Sequence, residues 1–224
     1  MRLLRYTIRL CAAMSLLAVV ACAPSTAEPV AFPAAKVDLP VVQGERTRTA
    51  VFAGGCFWGI EAVFEHLKGV KDASSGYAGG TRETANYELV SSGRTGHAES
   101  VRVVYDPTEI TYGTLLRIFF SIAHDPTELN RQGPDVGPQY RSVIFANDAN
   151  EQRVAQAYVE QLDATQIFRR PIVTEIVTAQ PFYRAEDYHQ DYAARNPNQP
   201  YIVFHDAPKV EHLKRQYPDL YRGT

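Results

Sequence analysis

The chain has 224 residues, 45% hydrophobic and 21% charged, with a formal net charge of -2. That length suits one domain of moderate size. The near-neutral charge gives no electrostatic reason to expect nucleic acid or an anionic membrane surface as a partner.

Met1 to Arg9 carries Arg2, Arg5 and Arg9 and no acid, and an apolar run from Leu10 to Ala21 follows. The run is too short for a stable membrane anchor, and the order is that of a secretory signal peptide. It ends in Val19-Val20-Ala21-Cys22, which reads as a lipoprotein signal whose Cys22 is acylated. Ala21-Cys22-Ala23 also fits ordinary cleavage after Ala23 by the small-x-small rule. Residues 1–22 are therefore expected to be a signal, 23–46 a linker rich in Ala, Pro and Val, and 47–224 the folded domain. Export to a periplasmic location follows, with a lipid on Cys22 as the one expected membrane contact. Loss of the three arginines takes the formal charge from -2 to -5. Cys11 leaves with the signal, so Cys56 becomes the one thiol of the domain, and a structural disulfide is excluded.

Thr49 to Ala53 is short and apolar enough for a buried strand, and Ile60, Val63, Phe64 and Leu67 have the spacing of one helix face. Between them, Gly54 and Gly55 allow a tight turn that places Cys56 near the helix N-terminus. Unpaired N–H groups and the helix dipole favour an anion there, which predicts a lowered thiol pKa. The plainer alternative is a small buried core cysteine.

Farther along, Gly76-Tyr77-Ala78-Gly79-Gly80 reads as a glycine-rich turn, and Ala98 to Tyr105 alternates as a strand. Thr111 to Ala123 is a largely buried helix, and Arg141 to Ala146 a short strand. Asp148-Ala149-Asn150-Glu151 has the form of a capping box opening a helix to about Thr165. Ile172 to Thr178 reads as a strand, and Ala185 to Arg195 and Val210 to Gln216 as helices. Strands and helices mixed without strict alternation predict an α+β fold, a two-layer α/β sandwich with a mixed sheet in a single domain.

Several segments combine glycines with chemically active side chains. They are Gly-Cys-Phe-Trp-Gly at 55–59, Gly-Tyr-Ala-Gly-Gly at 76–80, Thr-Gly-His-Ala-Glu at 95–99, Tyr-Asp-Pro at 105–107, His-Asp-Pro at 124–126, Gln-Tyr-Arg-Ser at 139–142 and Ala-Glu-Asp-Tyr-His-Gln at 185–190. In this order, over nearly all of residues 49 to 220, the chain resembles peptide methionine sulfoxide reductase A. The resemblance implies reduction of methionine S-sulfoxide, free or in oxidised proteins, with Cys56 attacking sulfur and becoming a sulfenic acid. It implies that Glu99 protonates the sulfoxide oxygen, that Tyr87 and Tyr140 donate hydrogen bonds to it, and that Phe57 and Trp58 receive the methyl group. A carboxyl in an aromatic pocket would have a raised pKa. Asp135 matches a position that binds or orders the site, and His189 lies in a matching helical motif.

Many family members carry further cysteines near the C-terminus; this chain has none there. It therefore resembles a single-cysteine member whose sulfenic acid meets an external thiol, a thioredoxin-like protein or a small molecule. No prosthetic cofactor, no metal and a monomer are expected. His66, His97, His124, His205 and His212 show no metal-ligand spacing. Two rival readings are an exported Cys–His cell-wall hydrolase with His97 or His189 as base, and a non-catalytic lipoprotein.

Overall fold

The computed structural model describes residues 31–223, so the expected signal peptide and Cys22 lie outside the described residues. The first strand, β1 (Arg48–Ala53), leads through Gly54 and Gly55 into α1 (Phe57–Glu65). There follow β2 (Val70–Ala78), a short α2 (Tyr87–Val90), β3 (Ala98–Tyr105) and α3 (Tyr112–Ile118), which continues as a π-helical turn over Phe119–Ala123. A two-stranded hairpin, β4 (Arg131–Gln132) and β5 (Asp135–Val136), precedes β6 (Val143–Ala146) and the long α4 (Ala149–Thr165). The chain ends with β7 (Glu175–Thr178), β8 (Tyr183–Arg184), α5 (Tyr192–Arg195), a π-helical turn over Ile202–Asp206 and α6 (Ala207–Gln216).

Six strands form one sheet in the order β7-β6-β1-β3-β2-β8. The β6–β7 pair is parallel and the others are antiparallel, so the sheet is mixed as expected. Side-chain alternation decides which face is the core. Ala50 and Phe52 of β1, and Val101, Val103 and Tyr105 of β3, point into the main cluster with α1, α3 and α4. Ala53, Ala78, Ala98, Val143 and Phe145 form a smaller cluster of their own. At the centre Phe52 stacks against Phe64 at 5.3 Å and Phe119 at 5.0 Å. Truncating such a fully buried ring to alanine typically costs about 3–5 kcal/mol.

Four local expectations are revised. β2 was not legible as a strand, and the glycine-rich turn narrows to Gly79–Gly80 because Gly76, Tyr77 and Ala78 pair with Ser100, Glu99 and Ala98. The span 185–195 is not one helix. It is a 3-10 turn at Asp187–His189 and then α5, separated by extended Gln190 and by Asp191 at φ +51°. The start of α4 is half a capping box. Asp148 accepts from the N–H groups of Asn150 and Glu151, but Glu151 reaches past it to the Asn147 N–H at 2.8 Å. Finally, part of the segment read as a linker is docked on the domain. Asp38 accepts from the Thr111 hydroxyl and from the Gly113 N–H at 2.9 Å, and the Phe32 and Pro33 carbonyls accept from Arg117 and Tyr158.

Candidate active site

Sheet register brings the acid to the thiol. Ala53, the last residue of β1, pairs with Ser100, so Glu99 stands beside the point where the chain leaves the sheet for Cys56. Cys56 is the N-cap of α1 and only 8% exposed. Glu99 is 2% exposed, and its Oε2 accepts from the Phe57 backbone N–H at 3.1 Å. Burial, opposed by that hydrogen bond and aided by Asp135 and Asp206, pushes the Glu99 carboxyl up to about 8. It therefore carries a proton at neutral pH.

The lowered thiol pKa expected from the helix N-terminus is not what the site produces. Burial, then the nearby Glu99 and Asp206, push the Cys56 thiol well above its ordinary value. The first-turn amide of Trp58 and the Lys209 ammonium pull the other way but are outweighed. Desolvation and like charge win over the helix dipole because the thiol has almost no contact with water. The resting site thus holds an S–H group beside a neutral carboxyl.

The flanking side chains come from several further segments. Tyr87 opens α2, whose N-cap Asn86 accepts from the Leu89 N–H, and Glu186 fixes it by accepting from the Tyr87 N–H at 2.9 Å and the Tyr77 hydroxyl at 2.8 Å. Tyr140 ends the 3-10 turn Pro138–Tyr140. Burial raises the phenol pKa of both tyrosines and so keeps them hydrogen-bond donors; Glu99 is the next cause in each case. Asp135, in β5, accepts from the Tyr201 hydroxyl.

Phe57 and Trp58 differ in placement. Phe57 is fully buried, with its ring 5.8 Å from Tyr77 and 5.0 Å from His189, so it forms a floor. Trp58 is half-buried, stacks on Tyr192 at 3.8 Å and 9°, and meets the edge of Tyr201 at 5.9 Å. His189 accepts from the Trp58 indole N–H through Nδ1 at 3.1 Å, and burial lowers its pKa, so the ring is neutral. It orients Trp58 and does not act as an ion.

All eight residues expected from the sequence thus lie in one region or brace it. Tyr192, Tyr201, Asp206 and Lys209 were missed. They sit about 135 to 155 positions after the Cys56 turn, and no pattern in their own segment points back to it. His97 is a structural residue. Its Nδ1 accepts from the Gly80 N–H at 3.2 Å and its Nε2 donates to the Thr81 carbonyl at 2.9 Å. A Cys–His hydrolase would need one of these imidazoles as a base beside Cys56, but His97 is bonded at both nitrogens and His189 uses its one lone pair on the Trp58 indole N–H, leaving Nε2 as an N–H donor without a partner among the described residues.

Comparison with known proteins agrees with this geometry. The family model described as peptide methionine sulfoxide reductase matches residues 48–220. Peptide methionine sulfoxide reductase MsrA 2 of Mesorhizobium japonicum is 56% identical over 175 residues, covering 78% of this chain and 90% of that protein. The protein of the same name from Synechocystis is 57% identical over 173 residues, 77% of this chain and 81% of its own length. The reduced form of Mxr1 from Saccharomyces cerevisiae superposes with a TM-score of 0.63 at 34% identity, over 71% of this chain and 91% of that one. Methionine sulfoxide reductase A of Corynebacterium diphtheriae superposes at 0.57 and 37% identity, over 71% and 80%. The chain belongs to the peptide methionine sulfoxide reductase A family.

Proposed function

We infer that the protein reduces the S epimer of methionine sulfoxide to methionine, in oxidised proteins or as the free amino acid. The observation that carries this is the pairing of Cys56 with Glu99, a buried carboxyl that stays protonated to about pH 8. The Cys56 sulfur attacks the sulfoxide sulfur while Glu99 gives its proton to the oxygen, with the Tyr87 and Tyr140 hydroxyls as further donors. Trp58 offers the apolar wall for the methyl group and Phe57 supports it; Asp135 holds Tyr201 at the edge. The first half-reaction converts thiol and sulfoxide into sulfenic acid and thioether. The second consumes two external thiol groups, returning the Cys56 thiol with a disulfide and water.

The sequence supports an external donor. Its three cysteines are Cys11, Cys22 and Cys56, and only Cys56 lies within the matched residues 48–220. A thioredoxin-like protein or a small thiol therefore reduces the sulfenic acid, and the chemistry calls on no prosthetic group. Location rests on the first 22 residues. Three arginines followed by the Leu10–Ala21 apolar run support export to the periplasm, with the protein a monomer either anchored by acylated Cys22 or released by cleavage.

The test is reduction of the separate R and S sulfoxides by the purified protein with dithiothreitol. Turnover of the S epimer alone, and a sulfenic acid trapped on Cys56 when thiol is withheld, are expected. Turnover that survives Cys56→Ser would overturn the assignment. Mass spectrometry of the mature N-terminus decides between acylated Cys22, cleavage after Ala23 and an uncleaved chain.

A further inference from the structure

One buried group near Cys56 has no part in the chemistry above. Asp206 closes the π-helical turn at the N-terminus of α6 and is 0% exposed. Its Oδ1 receives the Lys209 ammonium at 3.2 Å, but among the described residues its Oδ2 has no hydrogen-bond partner. An unpartnered buried carboxylate oxygen is costly, and such atoms call for an explanation. The carboxyl lies directly against α1 at Gly59, one helical turn from Cys56. A side chain at Gly59 would overlap Oδ1, and its Cβ would come within 2.7 Å of Lys209 Nζ.

The first half-reaction balances overall, but Cys56 must shed its proton at the moment Glu99 gives up its own. Glu99 must be protonated to donate to the sulfoxide oxygen, so it cannot also take the proton that Cys56 loses when its sulfur attacks. Neither His97 nor His189 serves: His97 is bonded at both nitrogens, and His189 accepts the Trp58 N–H at Nδ1, so its unpartnered Nε2 carries the ring proton and has no lone pair to offer. Tyr87, Tyr140 and Tyr201 are phenols whose burial makes them weaker acids, so none stands ionised to accept a proton.

We propose that Asp206 takes the Cys56 thiol proton onto its unpartnered Oδ2 as the sulfur attacks, leaving Glu99 as the acid. This rests on the reductase reading above. The S–H bond breaks and an O–H bond forms on Asp206, while the sulfur lone pair forms the bond to the sulfoxide sulfur. The Glu99 proton passes to the sulfoxide oxygen. Asp206 ends the step neutral and Glu99 ionised, and release and uptake of one proton through solvent restore both. The charged groups acting on Asp206 are Lys209 and His205, which favour its carboxylate, and Asp135, which opposes it. Burial dominates and lifts its pKa above the ordinary aspartate value, the direction that makes a carboxylate a stronger base. Asp206 also lies in the lining of a cleft of about 350 Å³ together with His66 and Glu211.

The test is Asp206→Asn, which keeps the shape and the oxygen that Lys209 needs. Single-turnover reduction of methionine S-sulfoxide near pH 7 is expected to fall by roughly a hundredfold. Alkylation of Cys56 by iodoacetamide is expected to hold steady or quicken, because a negative charge that disfavours the thiolate is gone. A purely electrostatic role predicts that both rates rise together, and a purely structural role predicts no such divergence. A folded variant that reduces sulfoxide at the wild-type rate or faster overturns the proposal. If the variant does not fold, carbon-13 titration of the wild-type aspartates decides, since a base must be ionised at rest. Asp206 still protonated at pH 7.5 also overturns it. Wild-type protein that reduces no sulfoxide would overturn the reductase reading itself, which makes the two failures distinguishable.

Discussion

The Phe57 backbone N–H donates to Glu99 Oε2 at 3.1 Å, so the amide next to the nucleophile holds the acid. The bond ties the first residue of α1 to β3, across 42 positions of sequence. It fixes the distance between the two reacting groups through a backbone donor whose own protonation never changes.

Glu99→Gln preserves this bond, because an amide oxygen accepts from Phe57 as a carboxyl does. The fold is therefore expected to survive while the proton donor is lost. Single-turnover reduction should drop by roughly 10²–10⁴-fold, the usual contribution of a positioned acid. In the wild type the rate should decline as pH rises through about 8, where Glu99 loses its proton. A Gln variant of near-normal rate, or one that keeps the decline at pH 8, would show that another group donates.

Stability should carry the same signature. Burial raises Glu61 to about 7 and Glu65 and Glu99 to about 8, all above the ordinary 4.5. A raised carboxyl favours the folded state while it is protonated. Its contribution is full below about pH 4.5 and is lost as pH climbs through the folded values. The Tm is thus expected to fall between pH 5 and pH 8.5. For Glu99, almost wholly buried, the loss is on the order of a few kcal/mol. Glu99→Gln should flatten part of that slope; equal slopes in the two proteins would rule out Glu99 as a source.

Trp58→Ala separates substrate binding from thiol chemistry. The indole stacks on Tyr192 at 3.8 Å and is oriented by His189, while the Cys56 sulfur does not depend on the ring. Loss of the methyl wall is expected to lower kcat/KM at least about tenfold, the cost of roughly 1.4 kcal/mol of transition-state stabilisation. Cys56 alkylation should stay near the wild-type rate. If alkylation and reduction collapse together, Trp58 is supporting the helix and not the substrate.

The parts of the fold written in side-chain period were legible, and the parts held by buried polar groups were not. Val101, Val103 and Tyr105 announce β3 through alternation. The neighbouring β2 contains Lys71, Asp72, Ser74 and Ser75 and looks like a loop. It is buried because Glu61 accepts from the Ser75 N–H at 3.1 Å and from its hydroxyl at 3.0 Å, while Gln190 bonds the Ser75 backbone on both sides. Those partners lie 14 and 115 positions away, and no local window contains them. Gln190 belongs to the segment read as one helix, and its extended backbone is what allows this clamp. The candidate site shows the same division. Cys56, Glu99 and the flanking tyrosines follow from motifs, but the direction of the thiol pKa depends on burial and on Asp206, which only the tertiary structure supplies.

Two glycines with positive φ give a final contrast. Gly55, at φ +109°, supports the turn into Cys56, and a Cβ there would come within 2.6 Å of Gln132 Cγ and 2.7 Å of its Cβ. Gln132 in turn bonds the Asp125 N–H and carbonyl and pairs with Asp135 in the hairpin. Gly55→Ala must therefore strain the turn and displace the hairpin that carries Asp135. Gly133, at φ +55°, is in the same hairpin, but a Cβ there meets nothing within 4 Å. Gly133→Ala is expected to cost only the left-handed backbone penalty, about 1–2 kcal/mol, with activity intact. Gly55→Ala should cost at least about 2 kcal/mol and lower activity further than its Tm loss explains, because Cys56 moves relative to Glu99. Urea unfolding and single-turnover kinetics on both variants measure this. Equal losses in stability and activity would mean that the contact between Gly55 and Gln132 does not position the nucleophile.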